Sequence, residues 1–459
     1  MNNIRMSGLC LLGVLSCAPV FAEEYAIQPL DKDLNPIVEP EQAAKEYDFS
    51  AFNLNDALEI ALASNRTIKG TEFSVKTADA KVGQARAASS LKLGAKANKT
   101  RLDKVKSQGF ELDTSKYANG ESLTLTQPLY IGGQDKAARI SARLGRDTAK
   151  SSQILTKQNI VKAVSLGYYN WLYAREKENV GMQDLELAQA HYDLVNKRFQ
   201  AEQTSKYELL RADVRLADSK SSYLGKKNDA VLAKLNLLKL LSLPMDTNID
   251  TAEKLEVVDI HPDVLEDLAK AVELREDLKI KRNMKGIAQQ SLESARAGLR
   301  PSVALSATFS SDKPSSRMDA FQRDESWNAS VGLEMPLLDG RLTRAKVKEA
   351  SAGIDNAEND YQESLENTEL EVYKSALSLQ TAIEVVASQK ENMKQADETL
   401  RLAKVRYENG LFTQIDLFDA ETAWSNAKLV YLGAIFQHHE ARLSYLLATG
   451  KLGRDIKGF

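Results

Sequence analysis

Cysteine is almost absent from this chain of 459 residues: it has two, Cys10 and Cys17, both close to the N-terminus. Any form that loses that segment has no disulfide, no thiol nucleophile and no cysteine metal site. Long apolar runs are scarce too. Beyond the first 22 residues no stretch reaches the ~18 apolar residues of a transmembrane helix. Insertion into a membrane would therefore require a β-barrel. Neither sign of charge dominates, with 61 Lys and Arg against 64 Asp and Glu. That excludes a basic surface for nucleic acid and an acidic tail. Aromatics are only 7%, which suits narrow helical seams better than one thick core. No Walker loop, GxSxG elbow, HExxH or dinucleotide fingerprint occurs, so no catalytic activity, cofactor or metal is expected. The histidines are His191, His261, His438 and His439. The last two are adjacent, about 100° apart on a helix and poor joint ligands, so ordinary packing or exposure is expected for all four.

What is present begins with an export signal. Arg5 precedes an apolar run from Leu9 to Val20, and Val20-Phe21-Ala22 offers a small-residue cleavage site. Residues 1–22 therefore read as a removed signal peptide. A second reading takes Val14-Leu15-Ser16-Cys17 as a lipoprotein box with Cys17 lipidated. Residues 23–52 form an acidic, proline-bearing leader.

The rest is one unit written twice. At an offset of 208 residues Pro128-Leu129 meets Pro336-Leu337, Gly132 meets Gly340, Arg198 meets Arg406, and Tyr223-Leu224-Gly225 meets Tyr431-Leu432-Gly433. Nearer the N-terminus the offset is 210, with Ala85-Arg86-Ala87 on Ala295-Arg296-Ala297. The first repeat is assigned to 53–250, the second to 251–450 and a tail to 451–459. Each copy reads helix, strand, loop, strand, long helix, turn, helix.

Helical character covers 53–90, with Asn53 or Asn55 as N-cap, and 263–299, ended by Pro301. Period-2 alternation then marks strands. Leu91, Leu93, Ala95 and Ala97 interleave with polar or small residues, as do Val303, Leu305, Ala307 and Phe309. Leu123, Leu125 and Gln127 alternate with threonines before Pro128, and Val331, Leu333 and Met335 do likewise before Pro336. Polar loops are expected at 101–121 and 311–326. Tyr130, Phe309 and Trp327 lie near strand ends, where interfacial aromatics sit.

After Gly132-Gly133 the period becomes helical. A heptad-like seam runs through Leu185, Ala188, Tyr192, Val195 and Phe199, and again through Met393, Ala396, Leu400, Ala403 and Tyr407. No proline occurs from 133 to 200, so an unbroken helix there would run ~100 Å.

Four strands per chain cannot close a membrane barrel, which needs about eight. Either they form a small soluble sheet, as in a periplasmic coiled-coil adaptor or scaffold without a pore, or several chains share one barrel. The second copy carries Arg406-Tyr407-Glu408-Asn409-Gly410-Leu411, then Ile415-Asp416-Leu417-Phe418-Asp419-Ala420, then Asn426-Ala427-Lys428. This resembles the tip hairpin of the TolC family of outer-membrane channels, and the duplication, strand pairs and export signal agree over 53–450. The resemblance implies a mixed α and β membrane protein: mainly long helices, with four strands per chain in a twelve-stranded barrel shared by a homotrimer. It implies outer-membrane lipid around that barrel, a helical tunnel through the periplasm, a periplasmic adaptor (membrane fusion) protein and an inner-membrane ABC or RND-type transporter. Type I protein secretion and small-molecule efflux are both served by such ducts.

The same resemblance assigns site residues. Asp416 and Asp419, three apart and so on one helix face, match carboxylates that ring the periplasmic mouth. Asp416 is equally the N3 acid of a capping box opened by Thr413, as Glu208 is after Ser205. Tyr407 and Glu208 match positions that hold the entrance closed, although Tyr407 is also a seam residue. Phe412 stands where the family pattern has an arginine. Gly410 reads as a helix terminator with positive φ, and with Leu411 forms the turn that contacts the adaptor. Its first-copy counterpart is Glu202, so the two hairpin tips are expected to differ.

Overall fold

The computed structural model describes Phe49 and residues 51–101, 105–107, 110–112, 117–258, 260–314 and 324–454. These lie in one compact unit, Tyr47–Phe459. The export signal, both cysteines, most of the leader and most of the tail fall outside the described residues.

The first half runs α1 (Leu54–Ser64), α2 (Arg66–Ala87), β1 (Lys92–Arg101), β2 (Val105–Ser107), β3 (Phe110–Leu112), β4 (Tyr117–Ile131), α3 (Gln134–Gln200) and α4 (Lys206–Leu241). The second runs α5 (Val264–Leu274), α6 (Glu276–Ala297), β5 (Ser302–Pro314), β6 (Asp324–Glu334), α7 (Leu342–Glu408) and α8 (Gln414–Ala448). α3 and α7 are each 67 residues long and begin 208 residues apart. α1, α2 and β1 repeat at 210 as α5, α6 and β5, so the two-residue difference falls in the segments that join the strands.

Three expectations about the helices and loops need correction. The helices expected over 53–90 and 263–299 are each broken once, because a polar residue turns to bond the end of another helix. At Asn65 (φ −62°, ψ 124°) the side chain caps Thr67 and its amide donates to the Leu240 carbonyl at the end of α4. At Arg275 the guanidinium grips Asp277 and Glu371 and donates to Ala448 O at the end of α8. Pro301 does not end α6. That helix stops at Ala297, and α2 stops at the matching Ala87 with no proline near, both tightening into i→i+3 bonds. The loop 101–121 contains the β2–β3 ribbon and the start of β4, and the loop 311–326 is shortened by β5 and β6.

The thick core lies at the middle of α3. Val161, Val164, Tyr168, Trp171 and Leu172 pack there against Ala57, Leu58 and Ile60 of α1, Leu237, Leu238 and Leu241 of α4, and Ile435 and Leu443 of α8. Each large side chain buried here stabilises by about 1.5–3 kcal/mol. Tyr168 is fully buried; its hydroxyl donates to Glu253 at 2.7 Å and lies 3.2 Å from Phe52 O, which ties the chain before α1 and the chain after α4 to α3. The second half has a thinner counterpart: Leu379 of α7 with Tyr445 of α8, and Val372 with Ala271.

The main sheet is antiparallel in the order β1-β4-β5-β6. The four strands expected from alternation are thus one continuous sheet. β4 runs through Pro128, where the expectation stopped it, because the register shifts between Pro128 and Tyr130. A bulge is where a residue without an amide hydrogen is tolerated. The register puts Leu93 opposite Leu125, Leu123 opposite Phe309, Phe309 opposite Trp327 and Leu305 opposite Val331. The other face carries Ser122, Thr124, Ser306, Thr308 and Ser330, with Ser306–Ser330 and Ser310–Ser326 hydroxyl contacts of 3.0 and 2.8 Å. Among the described residues no helix covers the apolar face: Trp327, Leu333, Val331 and Leu93 are all exposed.

Candidate functional site

The sequence-predicted site residues lie where α3 turns into α4 and α7 into α8. Both turns have the same backbone. Gly410 takes φ +72° and Glu202 takes φ +57°. Gly410 N bonds Tyr407 O and Leu411 N bonds Arg406 O; Glu202 N bonds Phe199 O and Gln203 N bonds Arg198 O. This is one Schellman closure written twice. The expected difference between tips is therefore one of residue type and not of chain path, and the first tip carries the left-handed strain of a non-glycine residue.

Asp416 is exposed and closes the expected capping box. Its carboxylate accepts from Thr413 N at 2.8 Å and from the Thr413 hydroxyl at 2.7 Å. Those bonds hold its pKa below the usual carboxylate value. Asp419, one turn on, is exposed and makes no hydrogen bond or ion pair with a described residue. Leu411 is exposed and Phe412 half-buried, with the Arg406 guanidinium 5.1 Å from the Phe412 ring centre. Glu208 is exposed. It starts α4 through Ser205 and takes a hydrogen bond from the Thr204 hydroxyl.

Tyr407 is buried in its own hairpin with Leu400, Ala403, Leu417, Ala420 and Trp424. Burial pushes its phenol pKa up. Arg198 lies over its ring, and His191 sits at 5.3 Å.

The α3 seam differs from the one expected. Leu185, Tyr192 and Phe199 are only half-buried, whereas Gly181, Asp184, Ala188, His191 and Val195 are buried. The cause is that α3 is covered from two sides, by α4 and by α8, so its deepest line lies between the two contacts. Polar residues occupy that line, which is why apolar periodicity missed them. His191 bonds the Gln414 amide at 3.0 Å and meets the Phe418 ring at 4.9 Å. Burial, reinforced by Arg198, lowers its pKa to about 4.

Deeper, Asp184 accepts from Arg215 at 2.7 Å and from the Ser219 hydroxyl at 2.9 Å. Glu421 of α8, 2% exposed, has one oxygen without a partner. Burial raises its pKa, with Asp184 adding and Arg215 and Lys404 opposing. Gln414 ties the two hairpins together, bonding His191 of α3 and the Glu208 carbonyl of α4, and such buried polar contacts are costly to disturb once formed. Among the described residues no group of three or more His, Cys, Asp or Glu is placed to hold a metal, and no helix is long and apolar enough to cross a membrane.

The chain has relatives that fit this geometry. Nodulation protein T of Rhizobium leguminosarum bv. viciae is 21% identical over 334 residues, spanning 72% of this chain and 69% of that one. Protein CyaE of Bordetella pertussis is 24% identical over 408 residues, 88% of this chain and 85% of its own. The CmeC outer membrane channel of Campylobacter jejuni shares the fold, with a TM-score of 0.77 at 17% identity over 90% of this chain and 88% of that one. Residues 57–242 and 269–451 match the outer membrane efflux protein model, one segment in each half. With both halves matched over most of their length, the chain belongs to the outer membrane efflux protein family, seated in the outer membrane with its helical part in the periplasm.

Proposed function

We propose that three copies assemble into an exit duct, each giving four strands to a twelve-stranded barrel and its long helices to a tunnel through the periplasm. The observation that carries this is the open sheet: among the described residues it has two unpaired edges, one exposed apolar face and one hydroxyl-lined face. A lipid-facing wall around a wet lumen needs those faces. Tyr130 pairs near one end of the sheet with Val303, and Phe309 lies six residues further along β5, ~20 Å at strand rise. That spacing suits two aromatic girdles. The repeats 53–250 and 251–450 would then be equivalent sectors of the wall.

At the far end the hairpin tips would form the mouth. Asp416 and Asp419 from three chains would put six carboxylates into a narrow opening, attracting cations and repelling anions. Tyr407, Glu208 and Phe412 would hold it shut, now joined by His191 and Gln414. Gly410 and Leu411 would meet the periplasmic adaptor, which joins the duct to an inner-membrane ABC or RND-type transporter. Secreted protein and small molecule are both compatible cargoes.

The test is single-channel recording of the outer-membrane protein in planar bilayers. Asp416→Ala with Asp419→Ala should shift the reversal potential toward loss of cation preference. An unchanged reversal potential would remove the carboxylate ring, and no channel from the native trimer would remove the duct.

A further inference from the structure

The internal duplication contains the missing contact between chains. β4 of the first repeat pairs with β5, the first strand of the second. β6 is the counterpart of β4 at an offset of 208, and β1 is the counterpart of β5 at 210. Within one chain β6 and β1 are the two open edges. If the wall repeats itself, β6 meets β1 of the next copy in the register that β4 keeps with β5.

On that basis, and resting on the shared barrel proposed above, we infer that β6 pairs with β1 of the next copy so that Glu334 lies opposite Lys96. Thr126 opposite Ser306 becomes Glu334 opposite Lys96, Leu125 opposite Ala307 becomes Leu333 opposite Ala97, and Thr124 opposite Thr308 becomes Gly332 opposite Asn98. The uncharged pair inside the chain is thus replaced by one of opposite charge between chains. Glu334 and Lys96 are both exposed, and neither has an ion pair with a described residue. Opposite charges on facing positions stabilise an antiparallel pair.

The charges also select the register. A slip of two residues sets Glu334 against Gly94 or Asn98 and leaves Lys96 facing Gly332 or Pro336, respectively. A slip of one turns the apolar face into the lumen.

Two further observations agree. β4 continues beyond its bulge, with Tyr130 opposite Val303, whereas β6 stops at Glu334 and leaves Leu338, 94% exposed, with nothing over it. The same rule puts Leu338 opposite Leu93 of the next copy. At Gly132 a Cβ would meet Ala297 O at 2.8 Å, while its counterpart Gly340 has open space. The offset fills that space with Ala87 of the next copy.

The lack of cysteine after residue 17 makes a direct test clean. Glu334→Cys is combined in one full-length chain with Lys96→Cys, Gly94→Cys or Asn98→Cys, and outer membranes are oxidised and run on non-reducing gels. The Lys96 pair should give covalent trimers at least ~10-fold more readily than the other two, whose α-carbons would be beyond bridging distance. Strongest cross-linking through Gly94 or Asn98 would overturn the register and leave the shared barrel standing. No cross-linking from any pair, with a soluble monomer, would overturn both. If the cysteine chains do not assemble, charge reversal decides. Glu334→Lys and Lys96→Glu should each lower the heat-resistant trimer, and the double variant should restore it. A double variant no better than the singles would count against the pairing.

Discussion

Six positions line the tip of the second hairpin: Leu400, Ala403, Tyr407, Leu417, Ala420 and Trp424, all buried. Their counterparts in the first hairpin are Tyr192, Val195, Phe199, Leu209, Ala212 and Leu216, and only Val195 and Ala212 are buried. The first hairpin buries a second line instead, through Asp184 and His191, whose counterparts Asn392 and Thr399 face solvent. One duplicated plan has thus been filled in two ways. α3 is covered by α4 and α8 and keeps Asp184 and His191 among its deepest positions, while α7 packs mainly on α8 at this end, meeting α3 through Tyr407, and keeps an apolar seam. An apolar seam holds its shape by volume. A polar one holds it by matching donors with acceptors, so pH and charge act mainly on the first hairpin.

The contrast is broken most strongly at Trp424. Its ring fills the second seam and its indole N–H donates to Asp397. Trp424→Ala should destabilise that hairpin by about 3–5 kcal/mol. Leu216→Ala, at the half-buried counterpart, should lose less than half as much. Amide hydrogen exchange across 395–430 and 187–222 measures both, and equal losses would show that the two seams are alike.

Acid should separate the hairpins next. His191 has a folded pKa of about 4 against 6.5 unfolded, lowered chiefly by burial. The unfolded chain then binds the extra proton between those values, so stability is full above pH 6.5 and is lost as pH falls toward 4. His439 in the central core is lowered in the same direction, also by burial, so the readout must be local. Proteolysis at the α3–α8 contact should rise over that window, and His191→Gln should flatten the rise. A profile unchanged in His191→Gln would put the titration elsewhere.

The smallest effect lies in the turns. Glu202→Gly should relieve left-handed strain and stabilise by about 1 kcal/mol, and Gly410→Ala should cost about the same. Nothing crowds a Cβ at Gly410, so the cost there is backbone alone. Opposite shifts in thermal midpoint are expected, and shifts of the same sign would mean that the turns are not equivalent.

Much of this was legible in the sequence because it depends on period. The 3.6 and 2.0 repeats gave α3, α7 and the sheet, and the 208-residue offset gave their equivalence. The breaks at Asn65 and Arg275 were not legible, because they depend on carbonyls at the ends of α4 and α8, some 175 residues away. At the site, Asp416 as a cap followed from Thr413 three residues before it. Asp184, Glu421 and Gln414 left no local mark: a carboxylate or amide at a buried helical position looks like one on a solvated face until its neighbours are known. Pro128 misled for a related reason, since a proline tells of a missing donor but not of a bulge that makes the loss harmless.

The equal length of α3 and α7 has a consequence of its own. In a cask no stave can be longer than those beside it, so growth is confined to the rim. The only two-residue mismatch between the halves lies in the segments that connect strands. Insertions placed there should be accepted, whereas one residue added within α3 would throw every contact below it out of step by about 100°.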